Sequence, residues 1–226
     1  MISFDKNWHY NILGIYNLNS DGSFSNLVDF IKKNHDKIEG DIIEAGVYRG
    51  HSLISLGLLL KELGSNKTIY GFDTFSGFPP IYHEKDKLKE FDALYYEGLI
   101  TDEHLESVKL NQDILDRFSN KTFEKNTKNI SSSGEFEDTN LDLIKKKIEY
   151  LELDNIKFIQ GKFSETMSNN IEISKIMSAV IDCDLYESYL DSLNFIWPRL
   201  SKGGFIHLDE YYSLKFPGAR RATLEF

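Results

Sequence analysis

At 226 residues and 41% apolar content the chain is long enough for one substantial core and too short for two comfortable domains, and no apolar run approaches the roughly 18–20 residues that span a bilayer. Thirty-six acidic against 26 basic residues give a formal charge of −10, which disfavours a nucleic-acid backbone as partner and leaves a small molecule as the expected one. A single cysteine, Cys183, excludes an intramolecular disulfide, and the first residues lack the basic start and apolar stretch of a secretory signal, so a cytoplasmic location is expected.

Residues 1 to 40 form a leader and helix, in which Phe24, Leu27, Val28 and Ile31 recur at helical spacing behind Ser23 as the capping candidate. Gly40 closes that segment. Asp41–Ala45 is a short apolar strand, Gly46 to Gly50 a turn, His51 to about Leu63 an apolar helix, and Lys67 to Phe72 a second strand ending at Asp73, which together make a βαβ unit. From about 81 to 133 the pattern gives way to a polar, lid-like insertion within the domain that runs from 41 to 226. A connection of roughly fifty residues without structure is unusual, so helices are expected in it, one near Thr101–Phe118. Phe91, Tyr95 and Tyr96 are either lid residues or the insertion's own small core, and Ser131–Gly134 a flexible joint.

Alternation then resumes. Leu141, Ile144, Ile148 and Leu151 make one helical stripe, Ile156–Ile159 a strand, Ser164–Asn169 a short helix and Lys175–Ile181 a strand. A helix from Glu187 to Arg199 carries Leu190, Leu193 and Trp197 on one face, and Phe205–Leu208 is the last clear strand. Five strands alternating with helices predict an α/β fold, Rossmann-like, with a mostly parallel sheet covered by helices on both faces.

In such sheets ligands bind beyond the carboxyl ends of the strands. Asp182 and Asp184 follow one apolar strand, and Asp209 and Glu210 follow another. If those strands are neighbours, their backbones lie about 4.8 Å apart and the acids converge. Crowded carboxylates raise one another's pKa unless a cation is present, and an all-oxygen set suits a hard ion such as Mg2+. On the first strand, Glu44, Gly46 and Gly50 give acid-x-Gly-x-x-x-Gly, with Tyr48 where the second glycine of a nicotinamide site belongs. That pattern resembles the first motif of S-adenosylmethionine-dependent methyltransferases, whose acid helps hold the cofactor's amino-acid end. Asp73 is placed to accept both ribose hydroxyls of an adenosyl group. The candidate cofactor-binding set is Glu44, Gly46, Tyr48, Arg49, Ser52, Asp73, Gly161 and Asp182, with Arg49 open to being a surface cation.

Four segments carry a wider resemblance: GDIIEAGVYRGHS at Gly40–Ser52, YGFDTFSGFP at Tyr70–Pro79, IDCDLYESYLDSLNFIWPRLSKGGFIHLDEY at Ile181–Tyr211 and PGARRA at Pro217–Ala222. The sequence is similar to the macrocin O-methyltransferase (TylF-type) family. The resemblance implies a class I methyltransferase fold, S-adenosylmethionine as donor, a divalent metal, methylation of a hydroxyl on a sugar or natural-product glycoside, and possible self-association. It also implies Asp182, Asp209 and Glu210 as metal ligands and Asp184 as general base. Glu210 stands where the family usually has aspartate. Two further strands normally follow the fifth in this fold, so the sequence is expected to be a fragment of a longer chain.

Other roles compete for some of these residues. Asp184 or Glu187 could cap the helix near Tyr186, Cys183 is simplest as a small buried hydrophobe, and His207 as a core histidine. His83 and His104 reach substrate only if the insertion is a lid. Rival functions are methylation of a phenol or catechol and a cofactor-binding remnant without turnover. A nicotinamide oxidoreductase is disfavoured by Tyr48.

Overall fold

The computed structural model describes residues 6–18, 22–79, 83–118, 136–168 and 172–226. Five strands, β1 (Asp41–Ala45), β2 (Ile69–Asp73), β3 (Ile156–Gln160), β4 (Ile176–Ile181) and β5 (Leu200–Leu208), form one sheet in the order β3-β2-β1-β4-β5. All four pairings are parallel. The interior strands are nearly continuous apolar runs, and β4 is buried at every position, as a strand covered on both faces must be. The outer strands β3 and β5 are only partly buried. Strand order reverses between β1 and β4, so the crevice beyond their carboxyl ends is the topological switch point where ligands of this architecture bind.

The expected elements are present with shifted ends. Within the leader, Asn7–Leu13 forms a first helix, α1, and Gly14 at φ 58° closes it. Helix α2 (Ser25–Asn34) buries Leu27, Val28 and Ile31, but its cap is Phe24, which makes no side-chain cap bond, so Ser23 does not take that role. Helix α3 (His51–Glu62) buries nine consecutive residues from Ser52 to Leu60. Two helices of the insertion follow, α4 (Glu90–Tyr96) and α5 (Asp102–Phe118), then α6 (Leu141–Tyr150), with the Asn140 side chain accepting from the Leu143 amide. The short α7 (Phe163–Thr166) stops before the expected Asn169, and Ser131–Gly134 lies outside the described residues.

Helix α8 (Tyr186–Ile196) ends earlier than expected, because Pro198 has no amide to continue it and a 3-10 turn, Trp197–Arg199, takes over. Its inward face is also rotated. Tyr189, Ser192, Leu193 and Ile196 are buried, while Trp197 is exposed. A stripe read from the most apolar residues overlooks a tyrosine whose hydroxyl has a partner inside. A last helix, α9 (Pro217–Glu225), follows a 3-10 turn at Asp209–Tyr212.

The chain divides into two compact units. The first comprises Met1–Phe75, Thr139–Asp182 and Asn194–Leu208, and the second Ser76–Asp138, Cys183–Leu193 and Asp209–Phe226. The first holds the sheet and the main core, in which Phe30 stacks on Phe205 and Lys67 Nζ donates to the carbonyls of Ile38 and Gly40. The second has its own small core of Phe91, Leu94, Ile100, Leu105 and Val108. Phe91 is therefore a packing residue, whereas Tyr96 is exposed. In the second unit Arg221, itself buried, is held by Glu90 and by both oxygens of Glu97, which joins α9 to α4.

Gly40 enters β1 at φ 103°, and a Cβ there would stand 2.6–2.7 Å from backbone atoms of Lys175 and Ile176. Neither contact can be relieved by a rotamer change. Gly40→Ala is expected to lower urea-unfolding stability by about 1–3 kcal/mol or more, combining overpacking with left-handed strain. A midpoint equal to that of the parent would contradict the close β1–β4 approach.

Candidate active site

The turn after β1 is built from residues that accept unusual backbone angles. Gly46 and Gly50 have φ of 94° and 74°, and Tyr48 between them has 51°, which is strained for a residue with a side chain. Asp73 holds this turn in place. Its Oδ2 accepts the amides of Val47 and Tyr48 at 2.8 and 2.9 Å, and its Oδ1 accepts that of Phe75 at 2.6 Å. Thr139 Oγ1 donates to the Tyr48 carbonyl from the far side of the insertion. The carboxylate expected to meet a ribose thus also shapes the loop beside it. Gly71, one strand over, leaves room for that loop, because a Cβ there would approach Val47 Cγ2 to 2.9 Å. Gly161, at φ 145° after β3, donates its amide to the Asp73 carbonyl. Arg49 is exposed, with its guanidinium 5.0 Å from the centre of the Tyr48 ring.

Beneath the turn, Glu44 is fully buried on β1. Its Oε1 accepts the Ser52 hydroxyl at 2.7 Å, which accounts for the buried serine at the start of α3. Its Oε2 is buried and has no hydrogen-bond partner among the described residues. Burial pushes the Glu44 carboxyl well above the usual glutamate range; Asp182 and Asp73 push the same way, against the opposing bonds from Ser52 and the Leu53 amide. An orphaned buried oxygen is costly to leave unmade, and this one would suit an ammonium donor from a ligand.

Beyond β4 and β5 lie the four expected acids, of which three come together. Ile181 is paired with Leu208, so Asp182 and Asp209 are the next residues from adjoining strand tips. The Asp182 amide donates to the Ala45 carbonyl at 2.9 Å, which extends the β1–β4 ladder and puts Asp182 at the switch point next to Gly46. Asp182, Asp184 and Glu210 each offer one carboxylate oxygen, and these oxygens lie within 4.8 Å of one another. Asp209 is exposed and stands outside that group. Asp184 has φ 59°, and the Leu185 amide bonds back to the Cys183 carbonyl across it, so a non-glycine residue is held in a tight, strained turn.

Two residues that the sequence reading passed over hold Glu210 and the start of α8. The Tyr189 hydroxyl donates to Glu210 Oε2 at 2.8 Å and accepts the Glu210 amide at 3.1 Å. Asp86, in the insertion, accepts the first amide of α8, that of Tyr186, at 2.8 Å. Asp86 is a hundred positions upstream, and burial raises its carboxyl to about 6. No local pattern announces either one. His207 stacks on Phe24, and His83 stacks on Tyr186 while its Nδ1 accepts the Lys85 amide. The buried Cys183 lies 3.8 Å from the Ser192 hydroxyl. His104 is partly buried and its ring lies 6.0 Å from that of Phe91.

Glu44 makes pH a probe of the ligand-free protein. Its folded pKa lies above the unfolded one, so the native state holds that proton more tightly and loses stability as pH rises from the ordinary glutamate range through the folded value. Glu44→Gln is expected to raise the thermal midpoint near neutral pH and to lose that advantage at about pH 3, where an ordinary glutamate is largely protonated. A difference between the two proteins that is flat across that range would mean Glu44 is not buried as described.

Comparison with known proteins agrees with this architecture. The family model for macrocin O-methyltransferase (TylF) matches residues 20–123 and 118–226. A tetracenomycin-type 4'-O-methyltransferase of Streptomyces olivaceus, whose name specifies a dimethoxy-rhamnosyl substrate, is 25% identical over 177 residues, covering 78% of this chain and 54% of the relative. Mycinamicin III 3''-O-methyltransferase of Micromonospora griseorubida is 26% identical over 194 residues, 84% of this chain and 61% of the relative. The chain thus spans little more than half the length of these curated relatives. Among solved structures, the O-methyltransferase NovP superimposes with a TM-score of 0.59 at 19% identity, over 88% of this chain and 67% of its own. The calicheamicin methyltransferase CalS11 gives 0.57 at 21%, over 97% and 72%. The α/β sheet is therefore that of class I methyltransferases, and, with the family model covering nearly all of its length, the chain belongs to the macrocin O-methyltransferase (TylF) family.

Proposed function

We propose that this chain carries the donor and metal sites of an S-adenosylmethionine-dependent, divalent-metal-assisted O-methyltransferase that acts on a sugar hydroxyl of a glycosylated natural product. The observation that carries the donor site is the orphaned Glu44 Oε2 under a glycine turn at the switch point. Family membership supports the donor, and the sugar-bearing substrates named for the relatives support the acceptor. In this reading Glu44 receives the cofactor's ammonium group, with Ser52 holding the carboxylate to its angle. Asp73 takes the ribose with the valence its three amide bonds leave. Gly46, Tyr48, Arg49, Gly161 and Asp182 line the remainder of the donor.

The donor set at the strand tips is all carboxylate oxygen, which fits a hard dication such as Mg2+. Asp182 and Glu210 are assigned to hold it, with the exposed Asp209 as an outer candidate. When bound, the cofactor supplies an electrophilic methyl group, and the dication lowers the pKa of an oxygen ligated to it. Asp184, already in the acid cluster, takes the proton of the acceptor hydroxyl, so that the oxygen meets the methyl group as an anion. The left-handed turn at Asp184 supports that role, since strained residues gather at functional sites.

Methyl transfer to glycosides assayed with added Mg2+ and with EDTA tests the assignment. Asp182→Asn is expected to abolish metal-dependent turnover and Asp184→Asn to lower it by about 10²–10⁴-fold, with S-adenosylhomocysteine binding by Asp184→Asn unchanged. Asp209→Asn is expected to cost less than either. Full activity in Asp182→Asn, or in EDTA, would refute the metal; transfer to catechols in preference to glycosides would replace the acceptor; donor binding with no transfer to any acceptor would contradict the enzymatic reading.

A further inference from the structure

The acid at position 210 is a glutamate, and its length raises a geometric problem that an aspartate would not. Glutamate has one more rotatable bond, so a free Glu210 side chain would spread its oxygens over several positions and lose entropy each time it ligated. A cation site tolerates little of that, since ligands must be held near their working geometry before the ion arrives. On the chain this freedom is removed from two directions. Tyr189 Oη donates to Glu210 Oε2 at 2.8 Å, and the same oxygen accepts the Glu210 backbone amide at 3.1 Å. One hydroxyl thereby grips both ends of the residue. Tyr189 is itself fully buried on α8 and Glu210 nearly so, so water does not compete for either bond. The register of α8 also fixes the hydroxyl, because Tyr189 lies on the buried face with Ser192, Leu193 and Ile196.

We infer that Tyr189 is a positioning residue for the metal site, which orients the Glu210 carboxylate for its role as a cation ligand. The inference rests on the metal reading given above and deepens it. A hydrogen bond to one oxygen of a ligating carboxylate does for it what outer-shell partners do for metal-bound histidines, namely fix its orientation and tune its basicity. Tyr189 makes no bond to the ion or the substrate in this account; it acts through Glu210. The pairing also explains why a hydroxyl-bearing ring occupies an inward position of α8, where phenylalanine or leucine would fill the same space without needing a partner.

The test is Mn2+ binding, followed by electron paramagnetic resonance titration of wild type, Tyr189→Phe, Glu210→Gln and the double variant, with S-adenosylhomocysteine binding measured alongside. Tyr189→Phe is expected to weaken Mn2+ by about 10–100-fold, the range typical of outer-shell partners, while S-adenosylhomocysteine affinity stays within twofold. In the double variant, loss of Tyr189 is expected to add almost nothing to the effect of Glu210→Gln, since its action runs through that carboxylate. Mn2+ affinity of Tyr189→Phe equal to wild type, or fully additive losses, overturns the inference and leaves the metal reading standing. A wild type that binds no Mn2+ overturns both. Should Tyr189→Phe fail to fold, 3-fluorotyrosine at position 189 keeps the donor, and its 19F resonance is expected to shift on addition of Mg2+; a resonance unmoved by saturating Mg2+ contradicts the inference equally.

Discussion

The proposed site depends on parallel pairing at the tips of β1, β4 and β5. The ladder between β1 and β4 continues one residue past the strands, through the Asp182 amide and the Ala45 carbonyl. The ladder between β4 and β5 sets Ile181 against Leu208. Those two registers put the first aspartate beside the glycine turn and bring the acids after β5 to the same edge. A slip of one residue would turn each side chain to the opposite face.

That arrangement concentrates negative charge where the chain can least solvate it. Glu44 is fully buried with one orphaned oxygen, Asp182 and Asp73 raise its pKa further, and Asp184 and Glu210 are themselves buried. The left-handed angles at Tyr48 and Asp184 add local strain. Unfavourable features of this kind persist when the surrounding structure over-determines them, and they gather at ligand sites. A cationic ammonium group at Glu44 and a dication at the strand tips would relieve much of this repulsion, so ligand binding and folding stability should be coupled.

How much of this was legible in the sequence depends on how local each cause is. Strands such as Asp41–Ala45 and Ile176–Ile181 are short apolar runs bounded by glycine or acid, so their positions followed from pattern alone. The acid-x-Gly-x-x-x-Gly turn and the acids after β4 and β5 were likewise readable, since each motif sits within a few residues of its strand. The inward face of α8 was not, because Tyr189 is buried by a bond to Glu210, twenty-one positions away, rather than by hydrophobicity. Asp86 was invisible for the same reason, as its partner is the Tyr186 amide a hundred residues on. The second role of Asp73, holding the Val47 and Tyr48 amides, is likewise set by partners some twenty-five positions away. Side chains whose purpose is to satisfy a distant polar atom leave no periodic trace.

The most direct single measurement is an anomalous-diffraction map from crystals grown with Mn2+ and S-adenosylhomocysteine. The account predicts one manganese peak within coordinating distance of oxygens from Asp182 and Glu210, and the ligand's amino group on Glu44 Oε2. A manganese-free acid cluster neutralised by a lysine or arginine, or a donor bound away from Glu44, would contradict it.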